Sequence, residues 1–241
     1  MRGITTFIQR DFLRWERGRV AVFSALVMPA AWLIFVGLAL PVKFTGNYLD
    51  FITPGILVMT MLSAGLSGGA LLMFDKILGF LNKFLALPTP RESILFGKIL
   101  FITGRGLIQT TIILIIAVII GASLLHPFQY FMIYLVLFAF GILISSFATT
   151  IALYLEDHDS YAAFNTMISM PLFFTSSALM PYNVMPSWLR TIAVLNPLSF
   201  AIDAIRDIGY GIIPLFPLAM LVGLAGFIIF LCSHVFRKVT I

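Results

Sequence analysis

The side chains suited to acid–base, nucleophilic or metal chemistry are few and scattered. The three histidines, His126, His158 and His234, show no H-x-x-x-H spacing, and the single cysteine, Cys232, has no partner for an intrachain disulfide. Asp157-His158-Asp159 has metal-ligand character, but consecutive residues point in different directions, so a solvated turn is the better reading. Asp203 and Arg206 stand one helical turn apart and can pair on a surface helix, either orienting it or acting as a gate. Arg105 lies within an apolar run, where an ionisable group is by default a functional candidate. It follows Lys98 by only seven residues, about 10 Å of helix, so snorkelling to headgroups is the simpler expectation. No G-x-x-x-x-G-K-[ST] loop occurs: Gly97-Lys98 is followed by Ile99, and the chain does not hold ATP by that device.

Helices in a bilayer must position these residues. Hydrophobic residues make up 61% and charged residues 10%, where a soluble domain has about 25% charged. With a mean hydropathy of +1.07, no soluble core absorbs so much apolar surface. Apolar windows of the roughly 20 residues that a crossing helix needs predict six spans, at 20–40, 51–74, 99–125, 128–155, 161–180 and 208–233, in one all-α domain, 1–241. Basic residues precede the first window as in a signal peptide, but its 21 residues and the lack of a small-x-small site mark a retained span. With the N-terminus in the cytoplasm, 11 of the 15 Lys and Arg fall on that side: Arg2, Arg10, Arg14, Arg17, Arg19, Lys76, Lys83, Arg91, Lys98, Arg237 and Lys238. That asymmetry places both termini inside, although the acidic loop 156–159 shares their side. The net charge of +5 is therefore topology and no sign of nucleic-acid binding. None of the ten acidic residues falls inside a predicted span, which counts against an ion-coupled carrier, and no histidine lies at mid-span to serve an intramembrane enzyme.

The connecting segments carry their own patterns. Residues 1–19 place Ile4, Phe7, Ile8, Asp11/Phe12 and Trp15 on one side and Arg2, Gln9, Arg10, Arg14 and Arg17 on the other, which predicts an interfacial helix. Residues 75–90 predict a short amphipathic helix through Ile77, Leu78, Phe80, Leu81, Phe84, Leu85 and Leu87, ended by Pro88 and Pro90. Residues 181–207 predict two short helices at the opposite surface, one after Ser187 and one capped by Asn196 with Pro197 in the first helical position. Small and hydroxylated residues, among them Ser63, Gly65, Ser67, Gly68 and Gly69 in the second span and Asn165 and Ser169 in the fifth, permit close packing.

Three segments, in order, resemble the type-2 ATP-binding-cassette (ABC) exporter permeases. Tyr48-Leu49-Asp50-Phe51-Ile52-Thr53-Pro54-Gly55 is similar to the family's opening of its second span. Gly79, Leu81, Phe84, Pro88, Arg91, Gly97 and Lys98 match its coupling segment, with Asp75 standing for the acidic opening and Lys83 departing from the pattern. Pro181, Pro186, Trp188, Leu189 and Arg190, followed by Leu195-Asn196-Pro197-Leu198-Ser199-Phe200-Ala201-Ile202-Asp203-Ala204-Ile205-Arg206, match its signature region. The resemblance implies a non-catalytic permease of the cell membrane. ATP and Mg would sit on a separate ATP-binding subunit, and a second permease chain, identical or different, would close the path. It implies ATPase coupling through Asp75, Gly79, Leu81, Phe84, Pro88 and Arg91, with 1–19 also touching that subunit, and an outer signature of Asn196, Pro197, Leu198, Asp203 and Arg206. If the second and fifth spans line the path, Ser63, Ser67, Asn165 and Ser169 face the cargo. Relatives carry drugs, lipid-linked glycans or lipo-oligosaccharides, so the expected cargo is hydrophobic, amphipathic or lipid-linked. The alternatives are a polysaccharide exporter, which would show aromatics stacked along a channel, and a stand-alone membrane carrier, enzyme or scaffold.

Overall fold

Among the residues that the computed structural model describes, 2–37, 48–86 and 90–239, every regular element is helical. In chain order these are α1 (Arg2–Arg17), α2 (Arg19–Ala31, running into a π-helical turn at Trp32–Val36), α3 (Tyr48–Ile77), α4 (Phe80–Leu85) and α5 (Arg91–Ile120). Then follow α6 (Pro127–Tyr154), α7 (His158–Phe174), α8 (Ser187–Leu195), α9 (Pro197–Gly209) and α10 (Leu215–Val239), with a short 3-10 turn at Tyr182–Val184 before α8. Hydrocarbon offers a peptide group no hydrogen-bond partner, so a crossing segment must close its own bonds as a helix. Tyr48–Ile77, Glu92–Ile120, Pro127–Tyr154 and Leu215–Lys238 are long and apolar enough to cross a bilayer. The count of four rises to six if each of two bent pairs, Ile4–Arg17 with Val22–Val36 and Ser187–Leu195 with Pro197–Gly209, forms one span.

Several predicted boundaries move for local reasons. The helix that carries the third expected span starts at Arg91, because nothing from 91 to 98 interrupts a helix, and it stops where Gly121 adopts φ +121°. The fifth, expected over 161–180, is helical only to Phe174. There Thr175 Oγ1 donates to the Pro171 carbonyl (2.7 Å) and Ser176 Oγ to that of Phe173 (2.6 Å), a local alternative to continuing the helix. The sixth begins at Leu215 instead of 208, since Gly211 at φ +78° and Pro214 separate it from α9. Ser187 opens α8 as its first residue and makes no capping hydrogen bond. Residues 38–40 of the first expected span, and Leu87 and Pro88 of the coupling segment, lie outside the described residues.

α3 is the centre of the bundle, with α5, α6, α7 and α9 packed on it, while α10 lies against α6 with most of its surface outward. The approach to α3 depends on small residues. A Cβ at Gly65, Gly68 or Gly69 would run into Ile144, Ile102 or Tyr161 respectively, so larger residues there would push α6, α5 or α7 away. Tyr161 uses that proximity, its hydroxyl donating to the Leu66 carbonyl (2.5 Å). Successive rods alternate in direction, giving the bundle two ends: one carries α4, the last turn of α3 and the first turns of α5, and the other carries α8 and α9.

Candidate functional site

The α4 end is built on charge. Asp75 closes α3, Lys98 lies two turns into α5, and Arg10, Asp11 and Arg14 project from α1. Asp75, Lys98 and Asp11 have side chains only 1%, 2% and 4% exposed, and ions so far from water are tolerated only when paired. They are paired with one another. Lys98 Nζ sits directly on Asp75 Oδ2 and 3.4 Å from Asp11 Oδ2. Arg10 donates through Nε to Asp11 Oδ1 (2.9 Å) and through an Nη to Asp75 Oδ2 (3.1 Å), and an Arg14 Nη lies 3.7 Å from Asp75 Oδ1. Three cations thus enclose two carboxylates, with the arginines forming the solvent side. Three helices from separate parts of the chain meet there.

The same arginine fastens α4. Its guanidinium lies 4.4 Å from the centroid of the Phe84 ring, in cation–π range, and Phe84 packs edge-on against Phe7 of α1 with centroids 5.4 Å apart. Leu81 is buried in an apolar cluster with Phe7, Met73, Ile94, Leu95 and Tyr161. α4 can double back after α3 because Gly79 takes φ +71°, a conformation that costs other residues strain. Next to it, Lys76 donates to the carbonyls of Leu153 and Leu155 (2.8 Å each) and closes the C-terminus of α6. Arg237 of α10 pairs with Glu92 of α5 (2.8 Å).

Several of the residues expected to couple to a partner also have contacts within this chain. Asp75, Leu81 and Phe84, expected to face a partner, also pack inside this chain: Asp75 and Leu81 are buried, and Phe84 is half-buried against α1. This segment presents outward Ile77, Leu78 (56% exposed) and Phe80, together with Lys83, whose ammonium lies 5.5 Å from the centroid of the Phe80 ring. Arg91 opens α5. The pairing of Asp11 with Lys98 was missed, although one signal for it existed: Asp11 is an acid on the apolar stripe of α1, four residues from Phe7.

Arg105 turns to α3. One Nη donates to the Ala64 carbonyl and to Ser67 Oγ, both at 2.8 Å. Ser67 and Ser63 lie on the exposed face of α3, and Asn165 and Ser169 are half-buried on α7, where Ser169 Oγ bonds back to the Thr166 carbonyl (3.4 Å). Asp157 is the N-cap of α7: its carboxylate accepts the Ser160 N–H (2.7 Å) and hydroxyl (2.6 Å), and the hydroxyl bond foremost holds it below the ordinary carboxylate value. His158 stacks on Phe74 at 4.7 Å.

At the other end, Asn196 caps α9 as expected, its side-chain oxygen accepting the Leu198 N–H (2.9 Å), with Pro197 in the first turn. The structure adds a second task. Asn196 Nδ2 donates to the Leu172 carbonyl (2.8 Å) and Thr175 Oγ1 (3.1 Å), holding the broken end of α7. Leu198 is fully buried. Asp203 and Arg206 are 3.9 Å apart at their closest, yet each has better partners. Asp203 accepts the hydroxyls of Ser177 (2.8 Å) and Tyr182 (2.6 Å). Arg206 donates to the Phe51 carbonyl (3.1 Å) and lies 3.9 Å from the centroid of that residue's ring, docking α9 onto α3.

A bundle of apolar rods with a short helix folded back at one end and a broken helical pair at the other matches what the resemblance implies, and residues 2–210 match the ABC-2 type transporter family. The chain belongs to that family. It is 36% identical over 207 residues to the putative transport permease ycf38 of Cyanophora paradoxa, covering 83% of this chain and 71% of that protein. It is 28% identical over 237 residues to the probable doxorubicin resistance ABC transporter permease protein DrrC of Mycobacterium tuberculosis, covering 92% and 83%. A third relative, the daunorubicin resistance ABC transporter permease protein DrrB1 of Streptomyces coeruleorubidus, is 23% identical over 210 residues, covering 86% and 74%. As an ABC-2 permease with several apolar rods, the chain is a multi-pass membrane protein.

Proposed function

We propose that this chain is the membrane subunit of an ATP-driven exporter, with both termini cytoplasmic and the α4 end facing a separate ATP-binding subunit. The observation that carries this reading is the construction of α4. A six-residue helix is clamped to α1, α3 and α5 by Arg10, Phe84 and Leu81, yet leaves Ile77, Leu78 and Phe80 uncovered on the same end. An apolar knob on a rigid mount suits a partner that pushes on it. ATP and Mg bind that partner, and this chain is non-catalytic. A second permease chain, identical or different, completes a path beside the exposed serines of α3 and the polar side chains of α7. Relatives named for doxorubicin and daunorubicin resistance favour a hydrophobic or amphipathic cargo moved out across the cell membrane.

The test is affinity purification of the tagged chain from gently solubilised native membranes. Wild type brings down an ATP-binding-cassette protein in stoichiometric amount, and Leu78→Asp, which alters only the exposed knob, loses it while inserting normally. Recovery of the intact, folded chain without such a subunit would sink the reading. Unchanged recovery of the subunit by the Leu78→Asp variant would move the docking surface elsewhere.

A further inference from the structure

A recess with charged walls lies away from α4, between α3, α5, α6 and α9. It is a cavity of about 240 Å³, lined mostly by apolar side chains such as Leu57, Leu114 and Val118, with Asp50 and Arg206 as its charged members. Leu114, Val118 and Tyr130 also line an adjoining groove of about 300 Å³, walled by Ile115, Ile119 and Tyr134. Ile115 and Ile119 are exposed on an apolar rod, so the groove opens towards lipid. The recess therefore runs from the acyl region to a pair of opposite charges at the α9 end.

Both charges retain bonding capacity. Arg206 spends one Nη on the Phe51 and Ala178 carbonyls, while its Nε is buried without a hydrogen-bond partner. Its other Nη has only Asp203, 3.9 Å away, and Arg206 lines the cavity, where an acceptor oxygen can reach it. Asp50 accepts the Ser123 N–H (2.7 Å) and hydroxyl (2.6 Å), one on each oxygen, and as an exposed carboxylate that lines the cavity it has lone pairs to spare.

We infer that this recess is a binding site for a zwitterionic phospholipid, with its phosphate on Arg206, its ammonium on Asp50 and an acyl chain in the groove between α5 and α6. One cation and one anion on the same wall complement a head that carries both charges. An anionic lipid would satisfy Arg206 but set its charge against Asp50, and Asp203 lies only 3.9 Å from Arg206 on the far side. The site faces lipid on the side of α5 and α6, away from the serines of α3, and is independent of any partner ATPase.

The test is native mass spectrometry of the purified full chain after exchange with vesicles of equal phosphatidylethanolamine and phosphatidylglycerol. Wild type retains one phosphatidylethanolamine per chain in preference to phosphatidylglycerol. Val118→Trp, which fills the groove without touching either charge, abolishes retention while leaving the melting temperature near wild type. Asp50→Asn erases the preference between the two lipids, and Arg206→Gln weakens retention at least roughly tenfold, the loss of one charge-assisted hydrogen bond. Because Arg206 also docks α9, a failure of Arg206→Gln to fold leaves Val118→Trp and Asp50→Asn to decide. Equal retention of both lipids by wild type, no retained phospholipid, or full retention by Val118→Trp would each overturn the site.

Discussion

The two ends of α3 are both held by buried polar groups, but the partners differ in kind. At the Ile77 end, Asp75 and Asp11 are balanced by Lys98 inside and Arg10 as the outer clasp. At the Tyr48 end, Asp203 rests on two hydroxyls, Arg206 on backbone carbonyls and an aromatic ring, and Asn196 on a backbone N–H, a carbonyl and a hydroxyl. Ions that rely on counter-ions fail together, because deleting one strands the rest without compensation. Ions and amides that rely on neutral dipoles lose one bond at a time. The α4 end is therefore a brittle junction and the α9 end a graded one.

Lys98→Met should break the brittle end most severely. It leaves Asp75 and Asp11 facing only the arginines, at a cost of about 3–5 kcal/mol, read as a large fall in the thermal midpoint of the solubilised protein. Adding Asp75→Asn to it should restore part of the loss, and a Lys98→Met protein that melts with wild type would end the comparison. Next comes Leu81→Ala, expected to cost about 2–5 kcal/mol as a core truncation. Its neighbour Leu78→Ala should stay within about 0.5 kcal/mol, and equal effects would mean that α4 is mounted with its other face inward.

At the graded end, Asn196→Ala should cost about 0.5–2 kcal/mol for its cap and speed amide exchange at Thr175 and Ser176, where its second contacts fall. Exchange confined to the first turn of α9 would show that its hold on α7 is idle. The smaller effect at this end should be that of Asp203→Asn, about 1 kcal/mol or less, because an amide oxygen still accepts one of the two hydroxyls. A loss as large as that of Lys98→Met would erase the distinction between the ends.

Features whose causes are local were legible in the chain. The long apolar rods follow from uninterrupted composition, and the start of α9 follows from an amide before a proline, so Asn196 and Pro197 could be placed without any tertiary information. The face of α4 could not, because Ile77, Leu78, Phe80, Leu81 and Phe84 surround so short a helix that no periodicity selects an inward side. The contact of Arg105 was hidden for a different reason: its acceptor Ser67 is 38 residues away, and only the packed bundle brings it within reach. The early end of α7 was hidden because the apolar run continues to Met180, whereas the helix ends where hydroxyls bond back onto its last turn.

α3 and α5 are each 30 residues, rods of about 45 Å that lie side by side. Lys98 and Asp75 join them at one extremity, and Ser123, just beyond α5, grips Asp50 at the other. Two beams riveted at both extremities cannot slide past each other without breaking a rivet. A force applied at α4 must tilt them as one lever, delivering displacement rather than shear to α9 at the far extremity, where Arg206 docks on Phe51.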